Sequence, residues 1–458
     1  MARARRLPGW GWLEWGVVAQ TAMPALMFVP GLGGARTLTR VAAFGIALAA
    51  WGATVLGGRR STGRAFPPAI WLAGCAGWIG VMVVHPNTNS LLSGGAAAML
   101  NLAILSPAFW GGPAVRDSRQ LGRLMAILLA CNAASTVVGI GQYYQPERFR
   151  PPSIPLLSIK EGVEEQLSFT TADGRRVLRL CGLTDTPGAA GAAGSIACLV
   201  GLCWALRPVA AWKRISCLGL SLAGAAVVYL GQARLPLATL AIGLMGLVGL
   251  LAYRGDRRRA GLLAVAATAV LGLGLLWVFR SAGEGAVERF RTLLDERPGE
   301  LIYANRGHFL EDLLRNKIWE YPLGAGLGRW GMVYLYFGDR AGGAARGELY
   351  AEVQWTAWVL DGGIPLMVGY GVAVVLALAN SARVARTCPD ESVGFWAAAV
   401  CALGLNVLAA TFGSMPFIGP DGVQFWALMA AVHAADRRAR LAAVGASIVV
   451  PGKKRRRR

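Results

Sequence analysis

The sequence predicts an all-α polytopic membrane protein with about twelve transmembrane helices. Three observations carry that expectation. Hydrophobic residues make up 55% of the chain and gather in repeated runs of about 18 residues or more, the length a helix needs to cross a bilayer core. The first basic cluster, Arg3, Arg5 and Arg6, leads through Trp10, Trp12 and Trp15 into a full-length apolar run. That pattern reads as an interfacial aromatic belt before a span, not as a cleavable signal. When the runs are taken as alternating spans, the basic residues of the short connections fall on one side.

The apolar runs lie near 16–32, 39–57, 67–85, 92–112, 121–142, 187–206, 214–231, 234–253, 259–279, 350–380, 394–413 and 417–435. With the N-terminus inside, the inner connections hold Arg59, Arg60 and Arg64; Arg116, Arg119 and Arg123; Arg207, Lys213 and Arg214; Arg254, Arg257, Arg258 and Arg259; and Arg383 and Arg386. The short outer connections hold only Arg36, Arg40 and Arg234. This asymmetry predicts that both termini are cytoplasmic. The chain then divides into spans one to nine (1–280, with an outer loop at 143–186), a helical extracytoplasmic segment (281–349), spans ten to twelve (350–436) and a basic cytoplasmic tail (437–458).

The net charge of +21 is explained by basic inner loops, and the tail "KKRRRR" reads as an orientation and anionic-lipid signal, so no nucleic-acid partner is expected. The eight cysteines fall mostly inside apolar runs without C-x-x-C spacing, which supports neither a disulfide framework nor a zinc site.

The polar interest lies on the outer side. Arg234 opens the run "ARLPLATLAIGL", where it either snorkels to the headgroups or serves a site. The outer loop ends in "RVLRLCGLTDTPGAAGAAG", whose small residues from Gly188 to Gly194 predict a close helix-packing face. The larger outer segment has helical stretches "AVERFRTLL" and "NRGHFLEDLLRNKIWEY". In the second, Phe309, Leu310, Leu313, Leu314 and Ile318 mark an apolar stripe, with Arg306 and Lys317 off it. "PLGAGLGRWG" follows with no preceding strand, so it reads as tight turns that leave backbone N–H groups for an anion, not as a nucleotide loop. Glu348 and Glu352, four residues apart, are expected on one helix face at the membrane surface. Asp361 lies deeper, ahead of Gly362, Gly363 and Pro365. It is a functional candidate by its depth, or else a partner for a buried arginine or backbone group.

These elements together resemble the O-antigen ligase and O-antigen polymerase superfamily of bacterial envelope glycosyltransferases. The resemblance covers roughly residues 175–380. It rests on Arg179 in "RLCGLTDTPG", on Arg234 opening its span, on Arg306 ahead of "PLGAGLG", and on Glu352 ahead of Gly363 and Ile364. Ligases of that family carry a histidine where Glu352 stands, and an asparagine is common after proline where Gly188 stands. The first difference tilts the resemblance toward a polymerase, or toward a ligase-like transferase with an unusual acceptor.

The resemblance implies a GT-C-like fold in the bacterial inner (cytoplasmic) membrane with its active face extracytoplasmic. It also implies an undecaprenyl diphosphate-linked glycan donor, a glycan or lipid acceptor, contact with membrane lipids, and polysaccharide-assembly proteins as partners. The departing lipid diphosphate gains charge, and no outer cluster at metal-ligand spacing is apparent. Arg234 and Arg306 are therefore the expected diphosphate ligands and no metal or cofactor is expected. Glu352 is the expected general base, with His308 as the runner-up. Arg179, His308, Arg315, Lys317, Arg329 and Glu348 complete the substrate-binding candidates. The competing classes are a flippase or other secondary transporter, which would be expected to show internal repeats and mid-membrane polar residues, and a structural subunit.

Overall fold

The computed structural model describes residues 10–29, 36–57, 65–149, 168–170, 176–282, 303–339 and 346–448. A helix occupies every predicted apolar run. These are α1 (Trp12–Ala22, continued by a 3₁₀ turn, Met23–Phe28), α2 (Arg36–Leu56), α3 (Ala69–Met82), α4 (Leu91–Leu105) with α5 (Pro107–Ala114), and α6 (Gln120–Tyr144). There follow α7 (Ala189–Ala205), α8 (Ala211–Leu230), α9 (Arg234–Tyr253), α10 (Arg257–Ala282), α11 (Gln354–Thr387), α12 (Glu391–Ala410) and α13 (Pro420–Ile448). Among the described residues, eight helical stretches are long and apolar enough to cross a membrane: α2, the α4–α5 pair, α6, α8, α9, α10, α11 and α12. This is the architecture of a multi-pass, all-helical membrane protein. The helix α3 and the helix α7 are apolar but shorter.

One small exception to the all-α expectation is a two-stranded antiparallel ribbon, β1 (Ser168–Thr170) and β2 (Arg176–Leu178), in the loop before α7. The proline-rich stretch of that loop, the "AVERFRTLL" stretch and the terminal basic run fall outside the described residues.

The core is packed through small residues, because helices in lipid gain from close backbone approach. The tightest pair is α7 against α8. A methyl on Gly194 would lie 2.7 Å from the Gly224 carbonyl oxygen, so the predicted packing face is real. Aromatic residues fill the wider space between α11 and α13: Trp358, Tyr370, Phe417 and Trp426 form one contiguous group, with Trp426 Nε1 donating to Tyr370 Oη at 3.0 Å.

Polar pairs collect at the two ends of the bundle. At one end, Arg123 bonds the buried Glu14 at 3.3 Å, Arg259 bridges Asp256 and Glu391, and Asp436 takes Arg383 and Arg440. The opposite end carries residues 303–339 and 346–353 and the described part of the loop before α7.

At that second end, residues 303–320 form a helical stretch of alternating pitch: Tyr303–Gly307 and Leu313–Lys317 are π turns, and His308–Asp312 and Ile318–Glu320 are α. The wider π turn rotates the predicted stripe. Leu313 is buried, but Leu314 is 64% exposed, so Leu314 leaves the apolar face that regular spacing assigned to it.

The glycine-rich run is wedged between the α3–α4 connection and the middle of α11. Gly326 takes φ +94° and has the backbone of Asn87 and Thr88 where a side chain would be, so only glycine fits. The helix α11 is broken at Gly362 and Gly363, ahead of Pro365. The groups freed by the break are satisfied by neighbours: Ile364 N donates to Pro322 O at 2.9 Å, and Trp78 Nε1 donates to Gly362 O at 2.7 Å.

Candidate active site

The functional end is built on loops tied to rigid helices. Arg179 follows β2 on a strap held against α6 by two side chains, Ser135 and Gln142. Ser135 Oγ accepts from Leu183 N at 3.1 Å. Gln142 Oε1 accepts from Cys181 N at 2.9 Å and Gly182 N at 2.8 Å, and its Nε2 donates to Gly182 O at 2.9 Å. Further along the strap, the buried Asp185 pairs with Arg40 from α2. The strap then enters α7 through Gly188.

Arg306 forms an ion pair with Glu352. Their side chains are 40% and 24% exposed, so an incoming ligand can reach both. The Tyr350 hydroxyl donates to Glu352. Arg306 lies over the Phe309 ring, whose centroid is 6.0 Å away, and Phe309 in turn contacts His308 at 4.0 Å and Tyr350 at 6.0 Å. Burial, and after it the neighbouring positive charge of Arg179, draw the Arg306 guanidinium below its usual pKa. Two predicted arginines thus sit close enough to repel, beside one carboxylate. That is the local imbalance an anionic ligand relieves.

The expected helix face shared by Glu348 and Glu352 is not present. The helix α11 begins at Gln354, after an extended N-cap at Val353 (φ −122°, ψ 151°). Residues 347–353 are non-helical because Leu349 bridges Trp330 and its N–H donates to Arg329 O at 2.7 Å. Glu352 is therefore presented on an extended segment, and Glu348 is exposed beside it.

The other candidates divide. His308 is exposed next to Arg306, its Nδ1 3.4 Å from Tyr303 O. Arg315 is 76% exposed, on the solvated side of the stretch, and pairs with Glu311 at 2.8 Å, while the partly covered Lys317 pairs with Glu320 at 2.9 Å. Arg329 is buried, with Nη1 on Ala325 O at 2.8 Å and Nε on Gly347 O at 3.2 Å. Its guanidinium closes the glycine-rich turn on the segment leading to Glu352, which is a structural role. The N–H groups of Ala325 and Leu327 likewise bond Leu360 O and Thr88 Oγ1, so those donors of the turn are not left for an anion. Asp361 is also structural: it accepts from Trp330 Nε1 at 2.8 Å and Asn101 Nδ2 at 3.3 Å.

Arg234 begins α9 at this same end. The next residue, Leu235, packs against Gly413, and the carbonyls of Thr411 and Ser414 in that connection accept from Gln354 N, two residues beyond Glu352. Arg234 and Glu352 are thus separated by one short connection.

Sequence reasoning missed Tyr350, Gln142, the Arg40–Asp185 pair and the "HPNTNS" connection. There Asn89 anchors the glycine-rich turn, Asp339 and Arg346 through five hydrogen-bonding contacts with its backbone and side chain, counting Ser93 Oγ. A polar Asn/Thr/Ser cluster between two apolar runs was the available signal.

Among the described residues no group of three or more His, Cys, Asp and Glu side chains is placed to hold a metal. All eight cysteines are free thiols. A scan of protein-family models and a search of curated proteins each return no match to this chain.

Proposed function

We propose that this chain is an integral-membrane glycosyltransferase that moves a glycan from a polyprenyl diphosphate to an acceptor sugar hydroxyl. In this reading all twelve helical stretches span a bacterial inner membrane, both termini are cytoplasmic, and the Arg306–Glu352 end faces outward. The observation that carries the reading is the meeting of Arg306, Arg179 and Glu352 on one partly exposed surface at the mouth of an apolar bundle.

The chemistry follows from these groups. The donor's diphosphate replaces Glu352 as the partner of Arg306, with Arg179 and Arg234 adding positive charge from the strap and from α9. Glu352, released from the guanidinium, accepts the proton of the acceptor hydroxyl. The hydroxyl oxygen attacks the anomeric carbon, the bond from that carbon to the phosphate oxygen breaks, and its electron pair leaves with the diphosphate. Attack opposite the leaving group inverts the anomeric configuration. The carboxylate is paired with Arg306, so the base is withheld until the donor displaces it. The fixed arginines supply the stabilisation of the leaving group that a metal ion supplies elsewhere.

The test is a transfer assay with purified protein in EDTA and an undecaprenyl diphosphate oligosaccharide donor. Arg306→Ala, Arg234→Ala and Glu352→Gln should each lose transfer while remaining folded. Full turnover in both arginine variants overturns the mechanism. A ladder of products assigns polymerisation, and a single defined adduct assigns ligation.

Secondary transport is the second reading, favoured by the broken helix α11 with Asp361 at the break, a common transporter feature. Yet the freed backbone groups and Asp361 all have protein partners, which makes the break a packing device.

A further inference from the structure

A cavity of about 120 Å³ lies inside the bundle among α6, α7, α9, α12 and α13. Its wall is mostly apolar, but Thr239, Asn406, Ser414, Asp421 and Gln424 converge on it. These residues lie at one depth, near the functional end. Thr239 is past the first turn of α9, Asn406 is one turn from the end of α12, Ser414 is in the following connection, and Asp421 and Gln424 share a face at the start of α13. Arg234 directly precedes the wall residues Leu235 and Pro236 but does not line the cavity.

Asp421 is unusual. It has neither a hydrogen-bond nor an ion-pair partner among the described residues, it is partly exposed, and it lines the cavity. A carboxylate set among membrane helices without a protein partner is costly unless water or an ion satisfies it. The Asn406 amide nitrogen is also buried without a partner.

The chemistry of the remaining groups sets the sign of that occupant. The Thr239 hydroxyl donates to Pro236 O at 3.2 Å, and the Ser414 hydroxyl donates to Ala410 O at 3.0 Å. With their protons so used, both offer only oxygen lone pairs. An amide turned about its axis presents its carbonyl. One carboxylate and uncharged oxygens match a single positive charge; calcium and magnesium sites draw on more carboxylates. The volume equals that of a few water molecules and is too small for a sugar ring or a lipid headgroup.

We infer that the Asp421 cavity is a binding site for one monovalent alkali cation. It is separate from the Arg306–Glu352 surface, and its test reads ion binding, so it stands or falls apart from the transferase reading. The bound ion would tie α9, α12 and α13 together directly beneath Arg234.

The experiment uses the full chain in lipid nanodiscs at mildly alkaline pH. Radiosodium binding is measured by scintillation proximity, and melting is compared in sodium, potassium and choline chloride at equal ionic strength. Wild type should bind one ion saturably and melt higher in an alkali salt than in choline. Asp421→Asn should lose both effects while keeping its melting temperature in choline. Asn406→Leu, which leaves the carboxylate in place, should bind about tenfold more weakly or worse. No saturable binding in wild type, or binding by Asp421→Asn as tight as in wild type, overturns the site.

Discussion

Replacing Gly363 with alanine tests whether the broken helix α11 and the glycine-rich turn are one interlocked unit. Gly363 has φ +65° and ψ −158°, a region open to glycine alone. Holding an alanine there costs about 1–3 kcal/mol. The added methyl would also fall on the Pro322 carbonyl and within 2.6 Å of Gly324 N, both backbone atoms that cannot rotate away. Overpacking of that kind adds about 1–3 kcal/mol. The sum is about 2–6 kcal/mol, or a fall in Tm of several degrees for a chain of this size. The assay is thermal melting in detergent, beside Gly95→Ala, a helical glycine with open space around its Cβ position. The interlocked account fails if Gly363→Ala melts with Gly95→Ala and wild type.

Arg306→Ala and Arg234→Ala should each lower transfer by about 10²–10³-fold, the loss expected when a fixed charge is removed from a developing anion, with Tm unchanged. Glu352→Gln should lower turnover by about 10²–10⁴-fold, whereas Arg315→Ala, on the solvated side, should stay near wild type in the same assay. Arg329→Met should instead appear in melting, because it orphans the buried Ala325 carbonyl at about 1–3 kcal/mol and also removes the bond to the part-buried Gly347 carbonyl. Gln142→Leu should weaken the Arg179 strap, read as faster proteolysis between α6 and α7 at equal donor concentration. EDTA should leave transfer unaltered, and a loss on chelation would show a metal that the proposed mechanism does not contain.

The helices were legible because a continuous apolar run long enough for a bilayer leaves one outcome for the backbone. Their ends were less so. Glu352 was read into a helix because nothing local marks where α11 starts; the start is set by the bridge from Leu349 to Trp330 and by the carbonyls of Thr411 and Ser414. Leu314 left its stripe for a similar reason, since π turns are not visible in an apolar repeat. Of the site, the arginines and Glu352 could be named as residue types suited to a diphosphate and a proton. Their pairing is a tertiary fact, as is the conversion of Arg329 and Asp361 from candidates into supports. Asp421 drew no notice because a single acid beside a proline reads as an ordinary helix start.

The glycine-rich turn carries one last implication. Its residues 322–328 touch the α3–α4 connection on one side and the interior of α11 on the other, with Asn89 N on Leu327 O and Ile364 N on Pro322 O. A keystone of that kind belongs to both the vault and the span it closes. The segment that carries the turn therefore cannot be exchanged with that of another protein as a cassette, and chimeras should keep the whole stretch from Tyr321 to Pro365 from a single parent.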